Sequence, residues 1–310
     1  MTIDSSVYHL NNGLPTPKVG LGTSRCDNIK EAVLHALKTG YRHLDCAWFY
    51  DNEKEIGEAI KESGIPRNEL FITSKLWTTF QHPDLVAKGL QETLDNLQLD
   101  YLDLFLMHWP VCHVNAGDGS YVIGEDKLPV IDNSVSLKDT WTALEALVDQ
   151  GKTKSIGVSN FNVPRLAELL AFSRIKPAVN QVELHPYLPQ HELVDFCKQE
   201  KVLLTGYGPL GGYPGPESVL HDSVVAQVAQ KNGISPAQVL LSWAVQRGTQ
   251  PIPKSTNLKR IEENLKHVDL SDDDMKLIDA IHKKKTVRYF DVVKNWGIDV
   301  FSYGYSLSKS

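Results

Sequence analysis

Cysteine is scarce in this sequence, and what is missing around it removes several classes of protein. The 310 residues include only 4 cysteines (Cys26, Cys46, Cys112 and Cys197), with no CxxC pair and no His/Cys spacing typical of a metal site. The chain also has no Asn-x-Ser/Thr acceptor for N-glycosylation. In a chain of this length, the pattern predicts reduced thiols in the cytoplasm and argues against a disulfide framework or structural zinc.

Long apolar runs and an excess of positive charge are absent too. The first nine residues are polar, and no apolar run approaches the roughly 20 residues of a membrane helix. We therefore expect neither a secretory signal nor a membrane anchor.

The 32 Lys and Arg residues are outnumbered by 38 Asp and Glu residues, for a net charge of −6. This balance provides no overall footprint for nucleic acid, so any anion site must be local.

Strand and helix patterns alternate along the chain after a short hairpin with an Asn-Gly turn, predicted over 7–18. Strands are predicted over 19–22, 43–47, 70–77, 101–110, 154–159, 178–184, 202–207 and 250–253. Helices are predicted over 28–39, 53–62, 83–97, 137–150, 164–172, 190–199, 222–232, 236–247, 258–266 and 272–283.

This order predicts an α/β fold, a (β/α)8 TIM barrel forming a single domain over 1–310. The strands are apolar runs rather than alternating ones, as parallel sheets require. We expect the hairpin to cap the barrel, two helices to be additional, and long loops over 111–135 and 210–217. An aromatic tail over 287–310 is expected to fold over the active-site rim. A doubly wound open sheet is the alternative, but no G-x-G-x-x-G opens any of these helices.

Reactive side chains follow three consecutive predicted strands. Asp45, Lys75 and His108 end these strands, and Tyr50 lies in the first loop. The carboxyl ends of barrel strands share one rim, where barrel enzymes place their active sites. A buried lysine needs a carboxylate, for which Asp45 is the candidate, and an ammonium beside Tyr50 would favour its phenolate.

These four residues are better suited to carbonyl reduction than to hydrolysis, because neither an activated nucleophile nor a metal cluster accompanies them. Tyr50 would protonate a developing alkoxide, and His108 would orient the carbonyl oxygen or share the proton. Each residue taken alone also has a non-catalytic interpretation. Asp45 could be an ordinary loop aspartate and Tyr50 an aromatic that packs on the rim. Lys75 could be a surface lysine whose stem lies on apolar residues, and His108 a hydrogen-bonded core histidine. Their coincidence at one rim favours a catalytic site.

Carbonyl reduction needs a hydride donor, and residues near the end of the chain are typical of a phosphate site. Lys254, Ser255 and Arg260 surround a predicted helix start after the last strand, where barrels commonly bind phosphate. A charged helix N-terminus is the alternative. Tyr207 would stack on a flat ring. Three other strand-end residues would hydrogen-bond an amide or else satisfy buried neighbours: Ser159, Asn160 and Gln181.

Four stretches in this order resemble the aldo-keto reductase superfamily, in its aldose/aldehyde reductase branch, and the resemblance covers nearly the whole chain. They are 40–53 (GYRHLDCAWFYDNE), 106–110 (LMHWP), 151–161 (GKTKSIGVSNF) and 252–255 (IPKS). The resemblance implies a catalytic tetrad of Asp45, Tyr50, Lys75 and His108, with Tyr50 as general acid. It also implies an extended NADPH bound without a Rossmann domain.

The resemblance further implies which residues hold NADPH. The carboxamide would be held by Ser159, Asn160 and Gln181, the 2′-phosphate by Lys254, Ser255 and Arg260, and adenine by Glu263 and Asn264. The full set is Gly22, Thr23, Ser159, Asn160, Gln181, Tyr207, Leu210, Lys254, Ser255, Thr256, Arg260, Glu263 and Asn264.

One departure concerns the substrate pocket, where the family's Gly-Leu-Gly-Thr-Trp has Ser24 in place of the tryptophan. The pocket is then expected to comprise Ser24, Trp48, Trp77 and Trp109. The tail around 288–301 resembles fungal members that act on glyceraldehyde, tetroses or pentoses.

We therefore expect a cytoplasmic, NADPH-dependent reductase of aldehydes or aldoses, with a small carbonyl compound as its partner and a monomer as its state. A dimer is the alternative state. The functional alternatives are a ketone or keto-ester reductase and a cofactor-binding regulatory subunit with little turnover.

Overall fold

The computed structural model describes residues 7–212, 215 and 217–302. Its strands are β1 (Val7–His9), β2 (Pro15–Pro17), β3 (Leu21–Gly22), β4 (His43–Asp45), β5 (Phe71–Leu76), β6 (Leu104–Met107), β7 (Ile156–Ser159), β8 (Val179–Glu183), β9 (Leu203–Tyr207) and β10 (Gln250–Pro251). Its helices are α1 (Ile29–Thr39), α2 (Glu53–Ser63), α3 (Pro83–Leu97), α4 (Leu137–Asp149), α5 (Val163–Phe172), α6 (His191–Glu200), α7 (Ser223–Asn232), α8 (Pro236–Gln246), α9 (Leu258–Asn264), α10 (Asp272–Asp279) and α11 (Val293–Trp296).

Strands β3 to β10 form one eight-stranded sheet in which spatial order follows chain order. A parallel bridge joins Gly22 of β3 to Lys254, three residues beyond β10. Every residue of β4 to β8 is buried, as expected for parallel strands covered on both faces. This is the (β/α)8 barrel fold that the sequence predicts.

The chain forms two compact units, and each is assembled from three separate segments. The first unit comprises Met1–Asp45, Ala59–Phe71 and Gln181–Phe290. The second comprises Cys46–Glu58, Ile72–Asn180 and Asp291–Ser310. A single domain over 1–310 stays a prediction.

The N-terminal hairpin is confirmed and belongs to the first unit. Strands β1 and β2 pair antiparallel, with Tyr8 opposite Thr16. The Tyr8 hydroxyl donates to the Val245 carbonyl at 2.8 Å, and the Gln250 amide donates to Thr16 Oγ1 at 2.9 Å. These bonds attach the hairpin to the end of α8 and to β10, as the predicted cap requires.

The predicted helix ends agree with the structure at several positions. Gly40 ends α1 in the left-handed region, at φ 112°, where glycine carries no Cβ penalty. Pro83 is the first residue of α3. Ser235 caps α8 and accepts a hydrogen bond from the Gln238 N–H.

Other predicted bounds were too long. The strand over 250–253 is reduced to Gln250–Pro251, although the Ile252 N–H still donates to the Gly206 carbonyl at 3.0 Å. The helix over 272–283 ends at Asp279, and a separate 3₁₀ turn follows at Ile281–Lys283. Helix α11 was missed, because four residues carry too little periodicity to identify a helix.

The loop over 111–135 is folded on itself rather than extended. Three isolated antiparallel bridges cross it, pairing His113 with Ile131, Asn115 with Tyr121 and Ile123 with Pro129. Parts of two other predicted segments, residues 213, 214 and 216 and the tail after 302, lie outside the described residues. None of the helices described here is both long and apolar enough to cross a membrane.

Candidate active site

Lys75 and Tyr50 lie side by side in the second unit. Lys75 is fully buried on β5, and its ammonium donates to the Cys46 carbonyl oxygen at 2.7 Å. The same nitrogen lies 3.4 Å from the Tyr50 hydroxyl and 4.9 Å from the centroid of the Tyr50 ring. A cation at this distance favours the phenolate over the phenol. A proton on the Tyr50 hydroxyl would therefore be released more readily beside this ammonium than in water.

His108 follows β6 and lies near Tyr50, with 5.9 Å between the ring centroids. Its backbone is fixed on both sides: its N–H donates to the Leu76 carbonyl at 3.1 Å, and its carbonyl accepts from Asn160 Nδ2 at 3.0 Å. Burial and the charge of Lys75 hold the pKa of His108 well below its usual value. The imidazole is therefore neutral near pH 7, a form in which one ring nitrogen can donate a hydrogen bond and the other can accept one.

Asp45 is the last residue of β4 and belongs to the first unit. Its carboxylate accepts a hydrogen bond from Gln181 Nε2 at 2.6 Å, and its carbonyl accepts one from Thr23 Oγ1 at 2.8 Å. In the chain it directly precedes Cys46, whose carbonyl binds Lys75. An ion pair between Asp45 and Lys75 stays a prediction.

The predicted phosphate residues lie on a short exposed segment of the first unit. Lys254 and Arg260 are both exposed, and neither forms an ion pair within the described part of the chain. Asn257 caps α9 by accepting from the Arg260 N–H at 3.0 Å, and Ser255 Oγ accepts from the Asn257 N–H at 3.1 Å. Cationic side chains without carboxylate partners are suited to an anion.

Close backbone packing accompanies this segment. A Cβ added at Gly22 would lie 2.9 Å from the Ile252 carbonyl oxygen, so the position requires glycine. Next along the segment, Thr256 is exposed, Glu263 pairs with Lys259 at 3.8 Å, and Asn264 is buried. The sequence-predicted adenine contacts, Glu263 and Asn264, thus share the last turn of α9.

The other residues predicted to bind the cofactor are found in both units: Ser159 and Asn160 belong to the second, and Gln181, Tyr207 and Leu210 belong to the first. In the second unit, Asn160 adopts a left-handed backbone at φ 65°, and its amide donates to Ser159 Oγ at 3.1 Å. In the first unit, Tyr207 contacts Phe290 edge-on at 5.3 Å, and Leu210 accepts from Ser218 Oγ at 2.9 Å. Asn160 thus links the end of β7 to the backbone of His108.

Glu183 is a buried anchor that sequence reasoning missed. Its two carboxylate oxygens accept the N–H of Tyr289 at 2.7 Å and the N–H of Phe290 at 3.0 Å. The same carboxylate lies 2.8 Å from His185 Nε2. The anchor fixes the segment that brings Phe290 against Tyr207, and a glutamate in an apolar strand is the signal that would have found it.

Aromatic rings surround His108 in the second unit. Trp77 lies 5.1 Å from the His108 ring, and Trp296 lies 5.2 Å from Trp109 and 6.1 Å from Trp77. Phe49 stacks on Trp77 at 3.8 Å. Trp77 and Trp109 thus join one aromatic group with Trp296 of the tail, and Phe49 is a member that the sequence prediction omitted.

The other two predicted pocket residues have different surroundings. The Trp48 indole donates to Glu92 Oε2 at 2.9 Å, and its ring meets Phe80 at 5.0 Å. Ser24 is half-buried in the first unit, where its carbonyl accepts from Cys26 Sγ at 3.8 Å. Their place in a substrate pocket stays a prediction.

Known proteins resemble this chain over most of its length. Residues 16–283 match the model of the Aldo/keto reductase family. The chain is 45% identical over 298 residues to aldo-keto reductase family 1 member A1 of Mus musculus, covering 91% of this chain and 90% of that protein. It is 40% identical over 312 residues to glycerol 2-dehydrogenase (NADP(+)) of Hypocrea jecorina, covering 96% of this chain and 98% of that protein.

A solved structure shares both the fold and the sequence. The aldose reductase of Giardia lamblia superposes with a TM-score of 0.86 at 40% sequence identity, covering 92% of this chain and 98% of that one. The family match, the identities and the barrel agree with the resemblance drawn from the sequence motifs. The chain belongs to the aldo/keto reductase family and is an oxidoreductase of that family.

Proposed function

We propose that this enzyme reduces aldehydes and aldoses of the glyceraldehyde, tetrose or pentose type to alcohols, using NADPH. The observation that carries the proposal is the buried Lys75 ammonium, 3.4 Å from the Tyr50 hydroxyl and next to a neutral His108. This group of residues can supply a proton to a carbonyl oxygen without a charged histidine or an activated nucleophile.

Each of these side chains has one task in the proposed reaction. Tyr50 gives its proton to the oxygen of the substrate as the carbonyl becomes an alkoxide. Lys75 stabilises the phenolate that remains. His108 donates a hydrogen bond that orients the carbonyl oxygen, and the aromatic group of Trp77, Trp109 and Trp296 excludes water around it.

The residues present suit NADPH, which supplies a hydride to the carbonyl carbon when bound. Lys254, Ser255 and Arg260 would hold the 2′-phosphate, since their segment exposes two cations that pair with no carboxylate among the residues the structure describes. Ser159, Asn160 and Gln181 would hold the carboxamide, and Tyr207 would stack on the nicotinamide ring. The name of the Hypocrea jecorina relative includes NADP(+), which supports the same choice.

The proposal is tested by NADPH oxidation against glyceraldehyde, erythrose, xylose, an aromatic aldehyde, a keto-ester and no substrate, with NADH in parallel. We expect turnover of small hydroxylated aldehydes and a preference for NADPH. Tyr50→Phe should abolish turnover while leaving NADPH binding, measured by fluorescence quenching, unchanged. An active Phe variant would remove Tyr50 from its role, and tight NADPH binding without any turnover in the wild type would favour a regulatory subunit.

A ketone is the second candidate substrate, because the Hypocrea jecorina relative is named glycerol 2-dehydrogenase. Oxidation of glycerol at its central carbon gives dihydroxyacetone. Dihydroxyacetone with NADPH, and glycerol with NADP⁺, should therefore be added to the same panel. A dihydroxyacetone rate above that of glyceraldehyde would make ketone reduction the main activity.

We further propose that the enzyme acts as a cytoplasmic monomer. All four cysteines are free thiols, and three of them are buried, which suits a reducing compartment. Sedimentation equilibrium would show a single species of 34.7 kDa if this is right and twice that mass for a dimer.

A further inference from the structure

The segment 46–52, which carries Tyr50, is attached at both ends to three consecutive residues of β5. At its start, the Cys46 N–H donates to the Thr73 carbonyl at 2.8 Å, and the Cys46 carbonyl accepts from Lys75. At its end, Glu53 Oε1 accepts a hydrogen bond from Ser74 Oγ at 2.6 Å. The strand that supplies Lys75 therefore also fixes the position of Tyr50.

Glu53 is the unusual member of this arrangement, because it is a carboxylate that is only 2% exposed. Ser74 and Lys75 are neighbours on one strand, so their side chains point to opposite faces of β5. Glu53 thus lies behind the strand, on the face away from the ammonium. From α3 it is met by the uncharged side chains of Thr93 and Asn96, and Lys75 is the charged group that acts on it.

The charge state of Glu53 depends on pH near neutrality. Burial raises the pKa of Glu53 to about 7, while the contacts with Ser74, Asn96 and Thr93 and the charge of Lys75 act in the opposite direction. The carboxylate is therefore ionised above neutral pH, where it accepts the Ser74 hydroxyl as a charge-assisted bond.

We propose that Glu53 is a positioning residue for Tyr50 and Lys75: it attaches the Tyr50 segment to β5 and offsets part of the Lys75 charge from behind the strand. This inference rests on the proposed function of Tyr50 as general acid. An anion near Lys75 weakens the stabilisation that the ammonium gives to the phenolate. Removing the anion should therefore make Tyr50 lose its proton at lower pH.

Two variants separate the charge from the hydrogen bond. Glu53→Gln keeps a side-chain oxygen for Ser74 but removes the charge, and Ser74→Ala keeps the charge but removes the donor. In the reduction direction Tyr50 must be protonated, so its deprotonation forms the alkaline limb of the pH profile of kcat/KM. We expect Glu53→Gln to move this limb to lower pH by about half a unit or more. We expect Ser74→Ala to leave the limb in place and to lower kcat several-fold.

A direct titration keeps the inference separate from the proposed activity. Tyrosine deprotonation is followed by ultraviolet absorbance without any substrate, and the titration curve of Tyr50→Phe is subtracted from that of the wild type. The difference gives the midpoint, the pH at which Tyr50 is half deprotonated. The same subtraction for a pair of proteins that both carry Glu53→Gln should give a lower pH. NADPH binding and the melting temperature check that the variants are folded. If the wild type turns over and neither the limb nor the midpoint moves in Glu53→Gln, the carboxylate is only structural and the inference is wrong. If the midpoint moves but no carbonyl is reduced, the proposed function fails and the positioning role stands.

Discussion

Replacing Lys75 with methionine is the most informative perturbation of the site, because it removes one buried charge at similar volume. The ammonium lies 3.4 Å from the Tyr50 hydroxyl. At an effective dielectric constant of about 20, a full charge pair at this distance interacts by about 5 kcal/mol. Only part of the phenolate charge has developed in the transition state, so we expect about half of this energy to be lost. The reduction rate should then fall about a hundredfold.

The variant should also change the pH dependence. Without the cation the phenolate is less stable, so the alkaline limb of kcat/KM should move to higher pH. The Lys75 charge also contributes to the low pKa of His108, so that pKa should rise while burial still keeps it below its ordinary value. The Cys46 carbonyl loses its donor, which should cost about 1–3 kcal/mol of stability.

Stopped-flow NADPH oxidation at saturating glyceraldehyde measures the rate of the chemical step, and initial rates at subsaturating glyceraldehyde across the pH range give the limb of kcat/KM. Leu76→Met on the same strand is a suitable control, because it changes a buried side chain without removing a charge. A Lys75→Met enzyme that keeps both the wild-type rate and the wild-type limb would show that the ammonium does not assist Tyr50. The assignment of the site to general acid catalysis by this pair would then be refuted.

Two further predictions concern other regions. Lys254→Ala or Arg260→Ala should weaken NADPH binding by about 10–100-fold, because each lost charge-assisted contact is worth about 1.5–3 kcal/mol. NADH binding should change little. Isothermal titration with both cofactors measures the two affinities, and equal losses would contradict a 2′-phosphate site. The pKa of His113, a buried residue of the 111–135 loop, is lowered to about 4 by burial, below its ordinary value of 6.5. The unfolded chain therefore binds this proton first, and stability should fall by up to about 3 kcal/mol between pH 6.5 and 4. Denaturant unfolding of wild type and His113→Phe should diverge as the pH falls through this window, whereas parallel curves would contradict it.

The proposed catalytic residues could be named from the sequence because parallel strands place their last residues at one rim. Lys75 and His108 could be identified in this way, since a charged or titratable residue at the end of an apolar run is costly without a purpose. The carbonyl that binds Lys75 was not accessible. It belongs to the backbone of Cys46, and no side-chain pattern indicates it.

The surroundings of Trp48 and Phe49 show a second limit. Both are large aromatic residues in one 3₁₀ turn, and the sequence analysis named only Trp48, whose place in the substrate pocket stays a prediction. The turn ends with Asp51 in the left-handed region, at φ 53°. This backbone places the Phe49 ring on Trp77 and the Trp48 ring on Phe80. Whether Trp48 or Phe49 contacts Trp77 depends on a few backbone angles, which the hydrophobicity of the two residues does not determine. Glu53 was missed for a similar reason, because its partner Ser74 is distant in sequence.

The anchor at Glu183 has a consequence for how this enzyme can diverge. Its carboxylate binds the main-chain N–H groups of Tyr289 and Phe290, and the Val287 N–H donates to the Tyr187 carbonyl at 3.1 Å. None of these bonds involves a side chain of Val287, Tyr289 or Phe290. Any residue except proline can therefore donate these bonds from 289 or 290, whereas inserting or deleting one residue after Val287 would shift both donors that bind Glu183. A substitution at Phe290 can therefore change the ring that meets Tyr207 while these backbone bonds are kept.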